Sequence, residues 1–299
     1  MSINLEKVRE TFEIPEAFKA IIGEGDIEVF RFFDDCVYDE GKGYNTYKLV
    51  SGSRSFVLKK YEAPEDRDAE VGHYRLLSGL PVPQLLGSAD CCILMDYVEG
   101  DDLKFPTDVG IIEAAKSLAA VMNAYPMGRE YDGERYKKYL ARLERRSGCL
   151  GSEPELAEAF AVFFERQKEI PLTLSNADLL PINVLFNGKK ATIIDWEFGG
   201  FLPYALDIAR FIVHSTPTGE VTSFRMSDEQ KKLFSKLVYE KLQVKPEPAV
   251  YERDLLLAEL NERIEILEYY FNEPSAERGA VFEYYYPRAA ALARKILKD

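Results

Sequence analysis

Two carboxylates and one amide surround a predicted β-hairpin in the second half of the chain. Four residues separate Asp178 from Asn183, and eleven more separate Asn183 from Asp195. The short apolar runs NVLF and ATIID flank Asn187-Gly188, a dipeptide typical of a tight hairpin turn. Because paired strands lie about 4.8 Å apart with a rise of about 3.3 Å per residue, the hairpin should bring Asn183 and Asp195 within reach of one ion.

These three side chains are suited to metal-assisted phosphoryl transfer. The amide oxygen of Asn183 and the carboxylate of Asp195 suit Mg²⁺, which keeps its other coordination positions for water and phosphate. Asp178, on the loop that enters the hairpin, could accept the proton of an attacking hydroxyl. Taken singly, each residue is better explained as a solvated loop acid or a strand-starting Asn, but the combined spacing favours a metal site.

A lysine and a glutamate form a second candidate pair. Lys59 lies near the end of the strand-like run FVLKK, and Glu70 lies on the next predicted helix, on a face that it shares with His73 and Leu77. A carboxylate on a partly apolar face needs a cation, and such a pair could hold the lysine ammonium against nucleotide phosphates. Taken alone, surface lysines and a helix acid explain the pattern better, and strand alternation could instead point Lys60 inward.

The segment Gly41-Lys-Gly43-Tyr-Asn45-Thr46, predicted as a loop between two strands, resembles part of a phosphate-binding loop. It has the first two glycines of G-x-G-x-x-G but Thr46 in place of the third. An ordinary hairpin turn explains it equally well. Its position before the strand pair that leads to Lys59 is what favours phosphate binding.

The first hundred residues are predicted to form a small β-rich lobe. Residues 1–24 are predicted as a helical lead-in with Pro15 near a helix start. Residues 26–61 are rich in β-branched and aromatic side chains and predict a three-stranded antiparallel meander. Pro64 opens a helix that ends near Gly79, and the apolar run CCILMDYV is typical of a buried strand.

Near Glu99-Gly100 the sequence pattern changes from typical of strands to typical of helices, which predicts a boundary between two lobes. Beyond it, helical spacing of apolar residues dominates apart from the hairpin at 183–195, and long helices are expected at 228–242, 250–272 and 276–297. The sequence therefore predicts an α+β fold, with an N-terminal lobe at 1–99 and a larger, mainly helical lobe at 100–299.

Composition excludes several classes of function. The 299 residues are 46% hydrophobic and 30% charged, which is ordinary for a globular protein. A formal net charge of −13 disfavours binding to nucleic acid or to anionic membranes. No apolar run is long enough to span a bilayer, and the start MSINLEKVRE lacks an apolar signal core. We therefore expect a cytoplasmic protein whose partners are cations, or anions that arrive with a metal.

Several catalytic sites are excluded by the residues themselves. Four cysteines occur without a C-x-x-C motif, so neither a disulfide framework nor a cysteine metal site is expected. Only His73 and His214 are present, which excludes a three-histidine zinc site. The chain contains neither a G-x-S-x-G elbow nor a G-x-x-x-x-G-K-[ST] loop.

The order of these features resembles the aminoglycoside phosphotransferase and choline kinase family, small-molecule kinases with a protein-kinase-like two-lobe fold. The likeness covers about residues 26–212, and its most specific part is ADLLPINVLF with IIDWE. LPVPQLLG, ILMDYVEG and PYALDIAR add to it. The resemblance implies that Asp178 is the catalytic carboxylate, that Asn183 and Asp195 bind Mg²⁺, and that Lys59, paired with Glu70, holds the phosphates of ATP or GTP.

The resemblance also implies positions for the rest of the nucleotide. The loop with Gly43 and Asn45 would lie beside the phosphates, backbone groups of Asp96 and Val98 would bond the purine edge, and Asp207 would brace the catalytic loop. One departure concerns that loop, where Asn176-Ala177-Asp178 stands in place of the usual His-Gly-Asp or His-Asn-Asp. An Asn can still donate and accept hydrogen bonds.

The acceptor is the least determined part of the prediction. The segment 251–274 is acidic and residues 284–286 are tyrosines. Carboxylates attract polycations and aromatic rings suit a quaternary ammonium, although a solvated helix face and a core stripe explain both features better. The resemblance favours a hydroxyl of an aminoglycoside-like antibiotic, amino sugar or amino alcohol. A choline/ethanolamine-type or other metabolite kinase, and a pseudokinase that holds nucleotide without transfer, are the alternatives.

Overall fold

A six-stranded antiparallel sheet forms the N-terminal part of the protein. The computed structural model describes residues 4–23, 25–33, 43–131, 133–218, 221–271 and 279–298. The first elements are β1 (Asn4–Lys7), α1 (Glu16–Ile22), β2 (Ile27–Phe33), β3 (Gly43–Ser51), β4 (Arg54–Lys60), α2 (Pro64–Leu76), β5 (Leu85–Ala89) and β6 (Cys92–Asp96). The strand order across the sheet is β1-β2-β3-β4-β6-β5, and all neighbouring pairs are antiparallel.

The alternation of side chains along β4 decides which lysine faces the centre of the molecule. Phe56 and Leu58 are buried in a small hydrophobic cluster between the sheet and α1. Val57 and Lys59 therefore point to the opposite face, which turns toward the helical part of the chain. Lys60 instead lies over the ring of Phe12, 3.9 Å from its centroid.

The rest of the described chain consists of helices and two small antiparallel sheets. The helices are α3 (Asp108–Ala124), α4 (Glu134–Gly148), α5 (Pro154–Gln167), α6 (Leu206–Val213), α7 (Asp228–Lys241), α8 (Pro248–Leu267) and α9 (Gly279–Ile296). The strands are β7 (Asp101–Asp102), β8 (Leu172–Ser175), β9 (Val184–Phe186), β10 (Ala191–Ile193) and β11 (Gly200–Pro203). One sheet has the order β10-β9-β7, and the other pairs β11 with β8.

One large hydrophobic core connects the two parts of the protein. It contains side chains of the helical part together with Val71 and Tyr74 of α2 and Ile93 and Met95 of β6. The chain passes from the sheet to the helices near Gly100, and a division into two lobes at that point stays a prediction. Among the described helices, none combines the length and the apolar composition that crossing a bilayer requires.

Most predicted elements are confirmed, and the α+β fold class with them. The meander, the helix after Pro64, the buried strand β6 and the hairpin lie where the patterns place them. The three long helices are present as α7, α8 and α9, with α8 ending at Leu267 rather than at 272. The helical lead-in is wrong for Asn4–Lys7, which pairs with β2 as an exposed edge strand; this contact is set by distant residues rather than by local pattern. Gly41, together with residues 272 and 276–278 of the predicted helices, lies outside the described residues.

A histidine on α2 joins this helix to the segment that follows β10. The Nδ1–H of His73 donates to the backbone oxygen of Trp196 at 2.9 Å, and Trp196 is fully buried. Burial lowers the pKa of His73 because the imidazolium loses hydration, although the bond to Trp196 opposes this effect. The folded state therefore favours a neutral His73.

A pH-dependent loss of stability should follow from this burial. Because the pKa of His73 lies below its unfolded value, the stabilisation is present above about pH 6.5 and is lost as the pH falls through the folded pKa. Between pH 7.5 and 5.0, the melting temperature of the wild type should fall a few degrees further than that of His73→Gln, measured by differential scanning fluorimetry. If the melting temperatures of the two proteins fall equally over this pH range, His73 is not the group responsible for the loss of stability.

Candidate active site

A cleft of about 800 Å³ lies between the N-terminal sheet and the helical part. Residues from β3, β4, α2 and β6 line one side, and Asp178, on the loop after β8, and residues around the hairpin line the other. Eight of the nine residues predicted from the sequence line this cleft: Asn45, Lys59, Glu70, Asp96, Val98, Asp178, Asn183 and Asp195. Residues that are far apart in the sequence are thus brought to one cavity.

The ammonium group of Lys59 contacts three carboxylates. Its Nζ lies 2.9 Å from Oε2 of Glu70, 3.0 Å from Oδ1 of Asp195 and 3.1 Å from Oε2 of Glu197. The hydroxyl of Tyr61 donates to the same Oε2 of Glu70 at 2.6 Å. One cation therefore connects β4 and α2 to the segment that follows β10.

Burial and charge oppose each other in this cluster. Desolvation lowers the pKa of Lys59, but the carboxylates of Asp195, Glu70 and Glu197 outweigh it and raise that pKa well above its ordinary value. Burial raises the pKa of Glu70, whose side chain is only 1% exposed, against the opposing effect of Lys59. Oε1 of Glu70 is buried without a hydrogen-bond partner in the described part of the chain. Glu70 therefore depends on Lys59 for compensation of its charge.

A tight loop after β8 presents Asp178 to the cleft. Ala177 has a φ of 64°, a left-handed conformation that is uncommon for a residue other than glycine. Asp207, on α6, accepts hydrogen bonds from the backbone N–H groups of Asn176 and Ala177, at 2.8 and 2.9 Å, and from the hydroxyl of Ser175 at 2.9 Å. These bonds hold the loop backbone in its strained conformation.

Asn176 uses both ends of its side-chain amide. Its Oδ1 accepts a hydrogen bond from the N–H of Asp178 at 3.1 Å. Its Nδ2 donates to the backbone oxygens of Asp195 at 2.7 Å and of Ile194 at 3.2 Å. These bonds therefore connect the catalytic loop to the end of the hairpin.

Asn183 is oriented by Asp178. It ends a short 3-10 helix immediately before β9, and its Nδ2 donates to the backbone oxygen of Asp178 at 2.8 Å. Because the amide nitrogen is committed to Asp178, the amide oxygen is left to accept or coordinate. The antiparallel pairing of β9 with β10 is extended by a hydrogen bond from the N–H of Ile194 to the backbone oxygen of Asn183 at 2.9 Å, and it brings Asp195 close to Asn183.

The oxygen atoms in the cleft are of the kind that fits Mg²⁺. Glu70, Asp195 and Glu197 each offer one carboxylate oxygen within 4.8 Å of the other two, and Asn183 lines the same cavity. Carboxylate and amide oxygens are the ligands that Mg²⁺ prefers in proteins. A metal ion would compete with the Lys59 ammonium for Asp195 and Glu197.

The glycine segment differs from its prediction. Residues 43–46 are strand rather than loop, because Gly43 pairs with Phe33 of β2 and Thr46 pairs with Lys59 of β4; the register between β2 and β3 shifts over this segment. Gly43 is the predicted residue that does not line the cleft. Its oxygen accepts a bond from Nη2 of Arg31 at 2.9 Å, and a Cβ atom at Gly43 would approach Arg31 within 2.7 Å. A side chain at this position would therefore require the flexible end of Arg31 to move.

The predicted purine contacts are placed in the cleft beside the end of β6. Asp96 and Val98 both line the cavity. The N–H of Asp96 already donates to the backbone oxygen of Gln84 at 3.0 Å. A bond from Asp96 to a purine would therefore have to use its carbonyl oxygen.

Three residues of the site were missed by the sequence reasoning. Glu197 and Tyr61 belong to the Lys59 cluster, and Arg210 donates from Nε and Nη2 to Oδ1 of Asp178 at 2.9 and 2.7 Å. Each had a signal. Glu197 lies two residues after Asp195, Tyr61 lies two residues after Lys59, and Arg210 lies one helical turn after Asp207.

Four acids of the segment 251–274 are neither part of a solvated face nor a free anionic surface. Three lie on α8 and the fourth, Glu268, directly follows it. Their side chains are at least three-quarters buried and bonded to arginines: Asp254 to Arg166, Glu262 to Arg210, Glu265 to Arg210 and Arg146, and Glu268 to Arg146. Both explanations offered by the sequence are wrong for these four residues, because their partners lie on other helices. Tyr285 is buried in the core, as expected if the tyrosines at 284–286 form a core stripe rather than a binding surface.

Comparison with known proteins agrees with this geometry. The profile of the phosphotransferase enzyme family (APH) matches residues 38–237. Homoserine kinase of Mesorhizobium japonicum is 32% identical over 199 residues, which cover 57% of this chain and 61% of that protein. Protein LicA of Haemophilus influenzae is 29% identical over 94 residues, covering 30% of this chain and 35% of that protein. The chain thus spans less than two thirds of the length of these curated relatives.

Solved structures with this fold cover nearly the whole chain. The streptomycin–ATP ternary complex of APH(2″)-IIa has a TM-score of 0.57 and 16% identity, covering 90% of this chain and 94% of that one. Choline kinase from Cryptosporidium parvum Iowa II has a TM-score of 0.55 and 14% identity, covering 96% and 91%. These similarities confirm the predicted kinase-like fold. Since the family profile matches most of the sequence, the chain belongs to the phosphotransferase enzyme family.

Proposed function

We propose that the protein is an ATP- or GTP-dependent and Mg²⁺-dependent phosphotransferase that phosphorylates a hydroxyl group of a small molecule. The observation that carries this proposal is the convergence of Asp178, Asn183 and the Lys59 cluster on one cleft. Membership of a phosphotransferase family supports it. Phosphoryl transfer depends mainly on positioning and charge stabilisation, which are what this cleft offers.

Each group in the cleft has a proposed role. Lys59, held by Glu70, binds the nucleotide phosphates, and Asn183 and Asp195 hold Mg²⁺. When bound, the metal neutralises charge on the phosphates. The contact of Lys59 with Glu197 supports Glu197 as a further carboxylate at the phosphate end of the cleft.

The remaining contacts with the nucleotide belong to the N-terminal lobe, residues 1–99. Asp96 and Val98 bond the purine edge, and the strand with Gly43 and Asn45 lies beside the phosphates. The lobe at 100–299 supplies the catalytic loop and the acceptor site. The lining of the cleft by residues from both segments supports this proposed division.

The transfer needs one proton acceptor. The acceptor hydroxyl oxygen attacks the γ-phosphorus, and its new O–P bond forms as the bond to the β–γ bridging oxygen breaks. A carboxylate oxygen of Asp178 orients the hydroxyl and takes its proton. ADP or GDP leaves with the bridging oxygen, and the product is a phosphate monoester.

The acceptor we propose is a small amino alcohol, ahead of an amino sugar or an aminoglycoside. The relative named homoserine kinase supports a small acceptor, since homoserine is an amino acid that carries an amine and a primary hydroxyl. The arginines that neutralise Asp254, Glu262, Glu265 and Glu268 weaken the case for recognition of a polycation by α8. A screen of homoserine, ethanolamine, choline, amino sugars and aminoglycosides for ADP release tests the proposal.

Replacing the catalytic carboxylate should separate transfer from binding. Asp178→Asn should lower kcat by about 10²-fold or more because the amide cannot take the proton, while nucleotide affinity stays within about twofold. Asp90→Asn is the matched control, since Asp90 is exposed, lies outside the cleft and has a φ of 50° that asparagine tolerates. Turnover retained in Asp178→Asn would remove Asp178 from the mechanism.

Removing a proposed metal ligand should raise the Mg²⁺ requirement. ATP with Mg²⁺ should raise the melting temperature of the wild type, and EDTA should abolish that shift. In Asp195→Asn, about 10-fold more Mg²⁺ should be needed for the same shift, because a neutral amide binds Mg²⁺ more weakly than a carboxylate. An unchanged Mg²⁺ titration, with Asp90→Asn as control, would show that Asp195 holds no metal.

The acceptor screen also separates an enzyme from a binding module. ADP release with one acceptor class, absent in Asp178→Asn, supports the phosphotransferase. A thermal shift with ATP and Mg²⁺ but no ADP release across the whole panel supports a pseudokinase. If the protein shows no thermal shift with ATP and Mg²⁺ and releases no ADP, both the phosphotransferase and the pseudokinase hypotheses are contradicted.

A further inference from the structure

A buried ionic network lies directly behind the catalytic loop. Its centre is the guanidinium of Arg210, on α6, whose side chain is only 14% exposed. On one side, Nε and Nη2 donate to Oδ1 of Asp178 at 2.9 and 2.7 Å. On the other side, Nη1 donates to Oε2 of Glu262 at 2.9 Å and to Oε1 of Glu265 at 3.1 Å. Four hydrogen bonds thus fix the guanidinium plane between the catalytic loop and α8.

The two glutamates that bind Arg210 have further partners of their own. Glu262, which is fully buried, accepts from Asn261 at 3.1 Å and contacts Nε2 of His214 at 3.3 Å. Glu265 accepts from Nη2 of Arg146, on α4, at 2.7 Å. Burial alone would raise the pKa of Glu265, but neighbouring arginines, Arg146 first, lower it to about 2. Both acids are therefore anchored on the far side of Arg210, and the network extends to α4.

This arrangement leaves the two oxygens of Asp178 with different surroundings. Oδ1 accepts two N–H groups of Arg210, whereas Oδ2 has, among the described residues, one hydrogen bond, from Nδ2 of Asn183 at 3.3 Å. The side chain is 22% exposed and lines the cleft. Oδ2 is thus the oxygen with capacity left for an acceptor hydroxyl.

We propose that Arg210 is the positioning residue of the reaction: by clamping Oδ1 it fixes the rotation of the Asp178 carboxylate so that Oδ2 faces the acceptor hydroxyl. The inference rests on the proposed function, in which Asp178 orients that hydroxyl. Under this proposal, two residues on one face of α6 both position the loop that contains Asp178. Asp207 holds the loop backbone, and Arg210, three residues later, holds the catalytic side chain.

Only an arginine fits this role. A guanidinium has five N–H donors in a rigid fork, so it can bond Asp178 and both glutamates in one plane. A lysine keeps the charge, but its ammonium is a point donor on a flexible stem. Arg210→Lys should therefore retain the charge balance and lose the orientation.

Arg166 provides a matched control. It bonds Asp254 of the same helix α8, from Nε at 2.6 Å and from Nη2 at 2.8 Å, but it does not touch Asp178. Arg166→Lys should lower the melting temperature and leave kcat within about twofold of wild type. Arg210→Lys should lower kcat by roughly 100-fold with the nucleotide KM within about twofold, since misplacement of a reacting group by about 1 Å has an effect of this size.

Crystal structures of the wild type and Arg210→Lys supply the second readout. We expect a changed side-chain rotamer of Asp178 together with the fall in kcat. A kcat within about threefold of wild type would overturn the proposal, and so would a fall in kcat with Asp178 unmoved. If the lysine variant does not fold, Glu265→Gln replaces it, with the same expectations of lower kcat, unchanged nucleotide KM and a displaced Asp178.

The two proposals fail in different ways. If the wild type transfers phosphate to none of the acceptors, the proposed function fails, and the rotamer comparison still decides whether Arg210 places Asp178. If the wild type is active and Arg210→Lys matches it, only the positioning role fails.

Discussion

The site depends on one cation that three carboxylates share. Lys59 comes from the sheet, Glu70 from α2, and Asp195 and Glu197 from the segment after β10. Without the ammonium, a nearly fully buried Glu70 would face two further anions, an arrangement that is strongly destabilising. The same contact connects the two sides of the cleft. It also supplies the charge that nucleotide phosphates would meet, so structure and proposed function rest on the same interaction.

Helix α6 provides the second constraint. Ala177 and Asp195 both have left-handed backbone conformations, at φ of 64° and 55°, which persist only where surrounding bonds hold them. Asp207 holds the loop that contains Ala177, and Asn176 bonds the backbone at Asp195. Strain at the two places that present carboxylates to the cleft is therefore balanced by buried hydrogen bonds. This fits a site whose chemistry depends on fixed orientation.

Local pattern was sufficient for part of this arrangement. The spacing of Asn183 and Asp195 around a hairpin predicts their approach, because few geometries connect two short strands. Strand alternation allows either Lys59 or Lys60 to face inward, and packing of Phe56 and Leu58 against α1 decides for Lys59. Edge strand β1 was missed because its four exposed residues carry no apolar signal.

Contacts between distant helices could not be predicted. The sequence shows that α8 carries acids, but not that arginines from α4, α5 and α6 meet them. A helical pattern shows on which face of the helix a residue lies, but not which residue of another helix it contacts. The burial of Glu262 and Glu265 could therefore not be predicted. Glu197 and Arg210 were visible in their motifs, yet only the folded chain brings them to Lys59 and Asp178.

The most direct measurement is a crystal structure of the protein with Mg²⁺ and a non-hydrolysable ATP analogue. The account predicts that Lys59 keeps Glu70, leaves Asp195 and Glu197, and contacts phosphate oxygens, while Asn183 and Asp195 coordinate the metal beneath the γ-phosphate. A complex in which Lys59 retains all three carboxylates and the nucleotide lies outside the cleft would contradict it.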